Sequence, residues 1–189
     1  MKAIMLGGTF NPVHYGHLFI AEEARTAFGY DSVILVPANK PVHKEAAPVV
    51  DPAHRLSMLR LAVRGSPSFF VDDCEIRRGG PTYSIETIDE MVSRYGIDGK
   101  PGFLIGDDLV KGFPSWKEAD RLARETDLIV ARRTSENPLP FPYPHRTAMN
   151  AIMPISSSEI RARIHGGRNV RFLVPDEVIA YISKFGLYA

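Results

Sequence analysis

The chain has 189 residues, 44% of them apolar and 24% charged, with a formal net charge of +1. That length supports one domain, residues 1–189, with a real core, and the near-neutral balance excludes a surface coated in basic charge for bulk nucleic-acid binding while leaving room for a local basic pocket. Cys74 is the only cysteine, which rules out an internal disulfide; with no signal-peptide pattern and no stretch approaching the ~20 apolar residues of a membrane span, a cytoplasmic protein is expected.

Short, nearly continuous apolar runs recur along the chain: AIMLG (3–7), SVILVP (32–37), SFFV (68–71), GFLIG (102–106), DLIVA (127–131) and AIMPI (151–155). Runs of this kind read as strands buried on both faces, the habit of parallel sheets. Helical patterns lie between them. Residues 17–28 place Leu18, Ala21, Ala24, Ala27 and Phe28 at helical spacing, with Gly29 as a terminator. Asp51 and Pro52 read as the cap and first residue of the next helix. Ser84 precedes Ile85, Ile88, Met91 and Val92, and reads as another cap. Shorter helices are expected over 117–124 and 159–164, and a last one over 175–185. The stretch 132–146, with four prolines, reads as a loop.

Strand alternating with helix predicts an α/β fold: one doubly wound, mainly parallel sheet, Rossmann-like, with a small C-terminal helical part over about 156–189. Such sheets bind ligands outside the carboxyl ends of their strands. The loops in question are 7–16, 37–50, 72–83, 106–116, 132–147 and 155–158, and the unusual residues sit in them.

The first of these loops opens GGTFNPVHYGH (7–17). Gly7 and Gly8 let backbone N–H groups turn toward an anion at a helix start, where the dipole adds to the attraction. His14 and His17, three apart, can face one side and offer imidazole donors to phosphate oxygens. A tight turn with two structurally satisfied histidines is the plainer alternative. KPVHKE (40–45) brings Lys40, His43 and Lys44 to a strand end, either for an anion or as a solvated basic loop. ISSSEIRARI (155–164) reads as a serine-capped helix start with Arg161 in its first turn, where a cation opposes the dipole unless an anion lies nearby. Trp116, the only tryptophan, follows a Phe-Pro turn; core packing and a stacking platform remain equally open for it.

GGTFNPVHYGH resembles the T/H-x-G-H signature of the nucleotidyltransferase superfamily, and ISSSEIR resembles its ISSTxIR motif, with Ser158 for the usual threonine. Together with GGPTYSIET (79–87), IGDDLVKGFPSW (105–116) and FLVPDEVIAYISKFGLY at the end, the chain resembles the bacterial nicotinate mononucleotide adenylyltransferases over residues 2–188. That resemblance implies condensation of ATP with nicotinate mononucleotide to give deamido-NAD and pyrophosphate, with Mg²⁺ carried in on ATP. It implies catalytic roles for His14, His17, Lys44 and Arg161. It places ATP against Gly7, Gly8, Thr9, Phe10, His14, His17, Ser156, Ser157 and Arg161. Nicotinate mononucleotide would meet Asn11, His43, Lys44, Tyr83, Ser84, Gly106, Asp108, Trp116 and Arg133. Two positions depart from the family habit: Asn11 replaces a frequent Asp, and Lys117 replaces the aromatic residue that often follows the tryptophan. The expected partners are these two small molecules, with no nucleic acid and no membrane; a homo-oligomer is left open. The alternatives are a sister enzyme such as a phosphopantetheine adenylyltransferase, and a non-catalytic nucleotide sensor.

Overall fold

The computed structural model describes residues 1–41, 50–137 and 139–189. Among them the strands are β1 (Ala3–Gly8), β2 (Ser32–Pro37), β3 (Lys40–Pro41), β4 (Phe69–Val71), β5 (Pro81–Thr82), β6 (Gly102–Gly106), β7 (Asp127–Ala131) and β8 (Arg146–Ala148). The helices are α1 (Tyr15–Phe28), α2 (Pro52–Ala62), α3 (Cys74–Arg78), α4 (Ser84–Tyr95), α5 (Ala119–Glu125), α6 (Ser157–His165) and α7 (Asp176–Phe185).

Six strands form one parallel sheet in the order β4-β2-β1-β6-β7-β8, and β3 pairs with β5 in a small parallel ribbon. Counted along the chain, the large sheet runs third, second, first, fourth, fifth, sixth, the order of dinucleotide-binding folds. The winding therefore reverses between β1 and β6, and a crevice is expected outside their carboxyl ends.

The strands alternate as a pleat demands. Ile4, Leu6, Val33, Leu35, Leu104 and Ile129 pack with residues of α1, α2, α6 and α7 on one face. Ala3, Met5, Ile34, Val36, Phe103, Ile105 and Leu128 pack with α3, α4 and α5 on the other. Helices cover both faces, which is why the strand runs are apolar throughout.

Helix punctuation follows local chemistry. Gly29 closes α1 at φ 69°, a left-handed conformation suited to glycine. The Asp51 carboxylate accepts from the Ala53 N–H at 2.8 Å, with Pro52 as the first helical residue. At α4 the cap is Tyr83, and Ser84 is the first helical residue rather than the cap. α1 and α6 begin at Tyr15 and Ser157, two residues before the expected starts, and α5 begins at Ala119, two after.

One expected strand is absent from its place. Residues 151–155 form no strand; β8 instead lies at Arg146–Ala148, at the end of the stretch read as a loop. Pro154 has no N–H for a ladder, and Ala151 and Pro154 are exposed, so this run is not buried on both faces. α3, β3 and β5 were not legible either, being too short to show a period.

Candidate active site

The loop after β1 is shaped by close approaches. A Cβ at Gly7 would meet nothing, whereas one at Gly8 would lie 3.1 Å from the Phe10 ring. Phe10 is buried at φ 46°, a conformation that costs a bulky residue strain and persists only where the surroundings impose it. Its ring also meets His17 edge-on, centroids 5.0 Å apart.

His14 caps α1 and is 1% exposed; His17 is the third residue of the helix and half-buried. The two rings stack at 3.7 Å, as their spacing predicts. The His14 N–H donates to His17 Nδ1 at 3.3 Å, so a neutral His17 carries its proton on Nε2. Gly16 makes the stack possible, since a Cβ there would lie 3.0 Å from His14 Nδ1.

α6 brings its start against this loop. Ser156 caps the helix by accepting from the Glu159 N–H at 3.1 Å. The Ser157 hydroxyl donates to the Pro12 carbonyl at 2.9 Å. Arg161, the fifth helical residue, lies one position beyond the expected first turn but reaches back, donating to the Asn11 carbonyl at 2.9 Å and to Ser158 Oγ at 3.2 Å. Asn11 is buried, and its Oδ1 accepts from the Tyr188 hydroxyl at 2.8 Å.

Arg55 was not singled out from the sequence, although it stands one turn before Met58 and Leu59 on the core-facing side of α2. A cation in an apolar stripe is the signal that could have found it. Its guanidinium is fully buried and donates to the carbonyls of Thr9 (2.8 Å), Asn39 (3.2 Å) and Val50 (3.2 Å). Burial pulls its pKa down, opposed by Tyr188, Asp51 and Glu75, and a guanidinium nevertheless stays charged.

The β6 exit forms the other wall. Leu6 pairs with Leu104, a register that carries Gly106 to the level of Gly8. A Cβ at Gly106 would fall 2.2 Å from Asp108 Oδ1 and 2.5 Å from Arg133 Cδ, so any side chain there would force Asp108 and Arg133 to move. Asp108 and Arg133 form an ion pair at 3.1 Å. The neighbouring Asp107 is buried and accepts from the Thr134 N–H and hydroxyl, both at 3.0 Å, and from the Ser135 N–H at 2.9 Å. Burial raises that carboxyl, and the donors outweigh it, holding the pKa below the ordinary value.

Trp116 is half-buried, tilted against Phe113 at 5.1 Å and edge-on to Phe103 at 6.2 Å. It sits at the margin of the second core cluster, between the two readings its position allowed. Tyr83 and Ser84 are likewise half-buried, and the Tyr83 side chain does not cap α4. Lys117 joins these parts: its ammonium lies 2.6 Å from Glu86 Oε1 and 4.5 Å from the Tyr83 ring centroid.

The site residues expected from the sequence thus fall into two groups at the switch point. Gly8, Phe10, Asn11, His14, His17, Ser157 and Arg161 meet at the loop after β1, with Gly7 and Thr9 in the same loop and Ser156 capping the helix that carries Ser157 and Arg161. Gly106, Asp108 and Arg133 come together beside them, with Tyr83, Ser84 and Trp116 on the α4 side. His43 and Lys44 lie outside the described residues. The first group offers imidazole, hydroxyl, guanidinium and backbone N–H donors, a set suited to phosphate oxygens.

Comparison with known proteins agrees along the whole length. Residues 5–163 match the cytidylyltransferase-like family. A protein of Borreliella afzelii named "Probable nicotinate-nucleotide adenylyltransferase" is 42% identical over 188 residues, covering 100% of this chain and 97% of that one. Treponema pallidum has a protein of the same name, 36% identical over 202 residues with 100% and 99% covered. The solved Plasmodium falciparum nicotinic acid mononucleotide adenylyltransferase, complexed with NaAD, superposes with a TM-score of 0.78 at 21% identity, covering 100% and 98%, and shares the fold. No helix among the described residues is long and apolar enough to cross a membrane. The chain belongs to the cytidylyltransferase-like family and, within it, to the nicotinate-nucleotide adenylyltransferases.

Proposed function

We propose that this chain condenses ATP with nicotinate mononucleotide, giving deamido-NAD and pyrophosphate, and that residues 1–189 carry the reaction as one domain. The observation that carries the reading is the convergence of stacked His14 and His17, Ser157 and Arg161 on the loop after β1, at the reversal of the sheet.

The acceptor's phosphate oxygen attacks the α-phosphorus of ATP in line, and pyrophosphate leaves. The second pKa of a phosphate monoester is about 6, so the nucleophile is ionised at neutral pH and needs no general base. What the step needs is positioning and relief of repulsion between two polyanions. In this reading the N–H groups of the β1 loop and the start of α1 receive the triphosphate. His17 Nε2–H donates to a phosphate oxygen, its orientation held by the His14 N–H at Nδ1. Ser157 and Arg161 hold the leaving β- and γ-phosphates, with Ser156 capping the helix that carries them. Lys44 and His43 are assigned to the phosphates by the same reading. Asp108 receives ribose hydroxyls beside Gly106, Arg133 the acceptor's phosphate, and Trp116 stacks on the nicotinate ring above Tyr83 and Ser84.

The donors around the β1 loop suit phosphate better than a bare cation, so Mg²⁺ fits as a passenger held by phosphate oxygens and water. When bound it neutralises triphosphate charge. The protein's own groups then align the acceptor and stabilise the departing pyrophosphate.

Incubation with ATP and a panel of acceptors, read as pyrophosphate release, tests the assignment. Release with nicotinate mononucleotide, identified as deamido-NAD formation, is the expected result. Release only with phosphopantetheine would transfer the chain to a sister activity, and release with no acceptor in the panel would make it a nucleotide sensor.

A further inference from the structure

We propose that Tyr188 is a positioning residue for the leaving phosphates: its hydroxyl locks the Asn11 side chain, and the Asn11 carbonyl, so fixed, aims the Arg161 guanidinium. The inference rests on the assignment of Arg161 to the β- and γ-phosphates above and adds a residue that assignment does not use.

Behind α7 the chain turns through Gly186 at φ 59° and reaches Tyr188 at φ 65°. The left-handed region suits the glycine and strains the tyrosine, so the contacts around Tyr188 must impose it. Its ring packs against the first core cluster, and its hydroxyl donates to Asn11 Oδ1 at 2.8 Å. Asn11 directly follows Phe10, the other strained aromatic residue, so two costly backbone conformations serve one stretch of loop. Arg55, Ser157 and Arg161 bond the carbonyls of Thr9, Pro12 and Asn11, whereas Tyr188 bonds a side chain. Asn11 is therefore gripped at both of its oxygens, by Tyr188 at Oδ1 and by Arg161 Nη1 at the carbonyl, 2.9 Å away. Arg161 Nη2 also donates to Ser158 Oγ, and the guanidinium keeps further N–H donors for a ligand. Burial pushes the Tyr188 phenol up in pKa, against the pull of Arg161 and Arg55, so the hydroxyl stays protonated and donates.

The competing account makes Tyr188 a general brace of the fold, and the two accounts differ in whether its effect passes through Arg161. Tyr188→Phe removes the hydroxyl and keeps the packed ring, so thermal melts should show a folded variant. The test titrates inorganic pyrophosphate with Mg²⁺ into the wild type, Tyr188→Phe, Arg161→Ala and the double variant, and follows binding by calorimetry. Loss of one hydrogen bond implies roughly three- to tenfold weaker pyrophosphate binding in Tyr188→Phe. The same substitution made on Arg161→Ala should change binding less than about twofold, because residues acting in one network are not additive. Under saturating ATP, kcat should fall with pyrophosphate affinity while KM for nicotinate mononucleotide stays within about twofold. Equal losses from Tyr188→Phe in both backgrounds, or pyrophosphate binding unchanged by it in the wild-type background, would overturn this role alone. Pyrophosphate binding indifferent to Arg161→Ala would overturn the phosphate assignment and this inference with it.

Discussion

The two ends of the crevice are held by different kinds of bond. At the phosphate end, side chains donate to main-chain carbonyls: Arg55 to Thr9, Ser157 to Pro12, Arg161 to Asn11. At the proposed acceptor end, the more exposed charges pair with one another, Asp108 with Arg133 and Glu86 with Lys117, while the buried Asp107 beside them is held by the Thr134 and Ser135 N–H groups. Carbonyl anchoring fixes the path of a loop. Exposed ion pairs contribute only ~0–1 kcal/mol and can exchange partners with a ligand at little cost. A rigid cradle suits the triphosphate common to all such reactions, whereas re-pairable charges suit the end that chooses an acceptor.

The sharpest break of this contrast lies at His17. His17→Ala should lower kcat by ~10²–10³, as loss of a donor at a reacting phosphate does, with the melting temperature little changed. Near-normal turnover in the folded variant would remove imidazole from the chemistry. Arg161→Ala comes next. A charge-assisted hydrogen bond is worth ~1.5–3 kcal/mol, so affinity for pyrophosphate, measured by inhibition, should drop roughly ten- to a hundredfold while the acceptor's KM moves little. Equal losses for both substrates would make Arg161 a brace of the Asn11 turn and nothing more.

Trp116→Ala probes the other end with a smaller effect. Aromatic stacking contributes ~0.5–1.5 kcal/mol, so KM for acid and amide acceptors should rise together by up to about tenfold, ATP being spared. The smallest effect concerns pH. The folded pKa of Asp107 is depressed, so its stabilisation is present above the ordinary carboxylate range and is lost as pH falls through the folded value. The stability gap between wild type and Asp107→Asn should therefore be widest near neutrality and shrink below about pH 4. A gap independent of pH would mean that the 133–135 turn is held without the charge.

The same contrast explains what could be read from the sequence. Four of the five runs that form strands at their expected places are buried on both faces, and that burial is what makes them continuous; the fifth, β4 at the sheet edge, leaves Phe70 exposed. β8 has no such signal, because Arg146-Thr147-Ala148 buries only Ala148. The phosphate end is legible because His14, Gly16 and His17 are neighbours in the chain, and even the glycine between them has a steric reason. The acceptor end is assembled from residues 83–84, 106–108, 116–117 and 133, whose meeting depends on the winding of the sheet. For Arg55 the sequence offers only a cation in the apolar stripe of α2 and no sign of what it binds. Its role is to bond carbonyls, and no pattern of side chains announces which carbonyls need a partner.

The most direct measurement of the central claim compares nicotinate mononucleotide with its amide analogue under saturating ATP in the wild-type enzyme. In the proposed reading the N–H groups at the start of α4 receive the carboxylate of the acceptor's ring; an NH₂ donor in its place would leave them unpaired at ~1–3 kcal/mol each, so kcat/KM should favour the acid by roughly tenfold or more, with one KM for ATP in both reactions. Equal efficiency with the two acceptors would contradict a discriminating acceptor end set beside a common phosphate cradle.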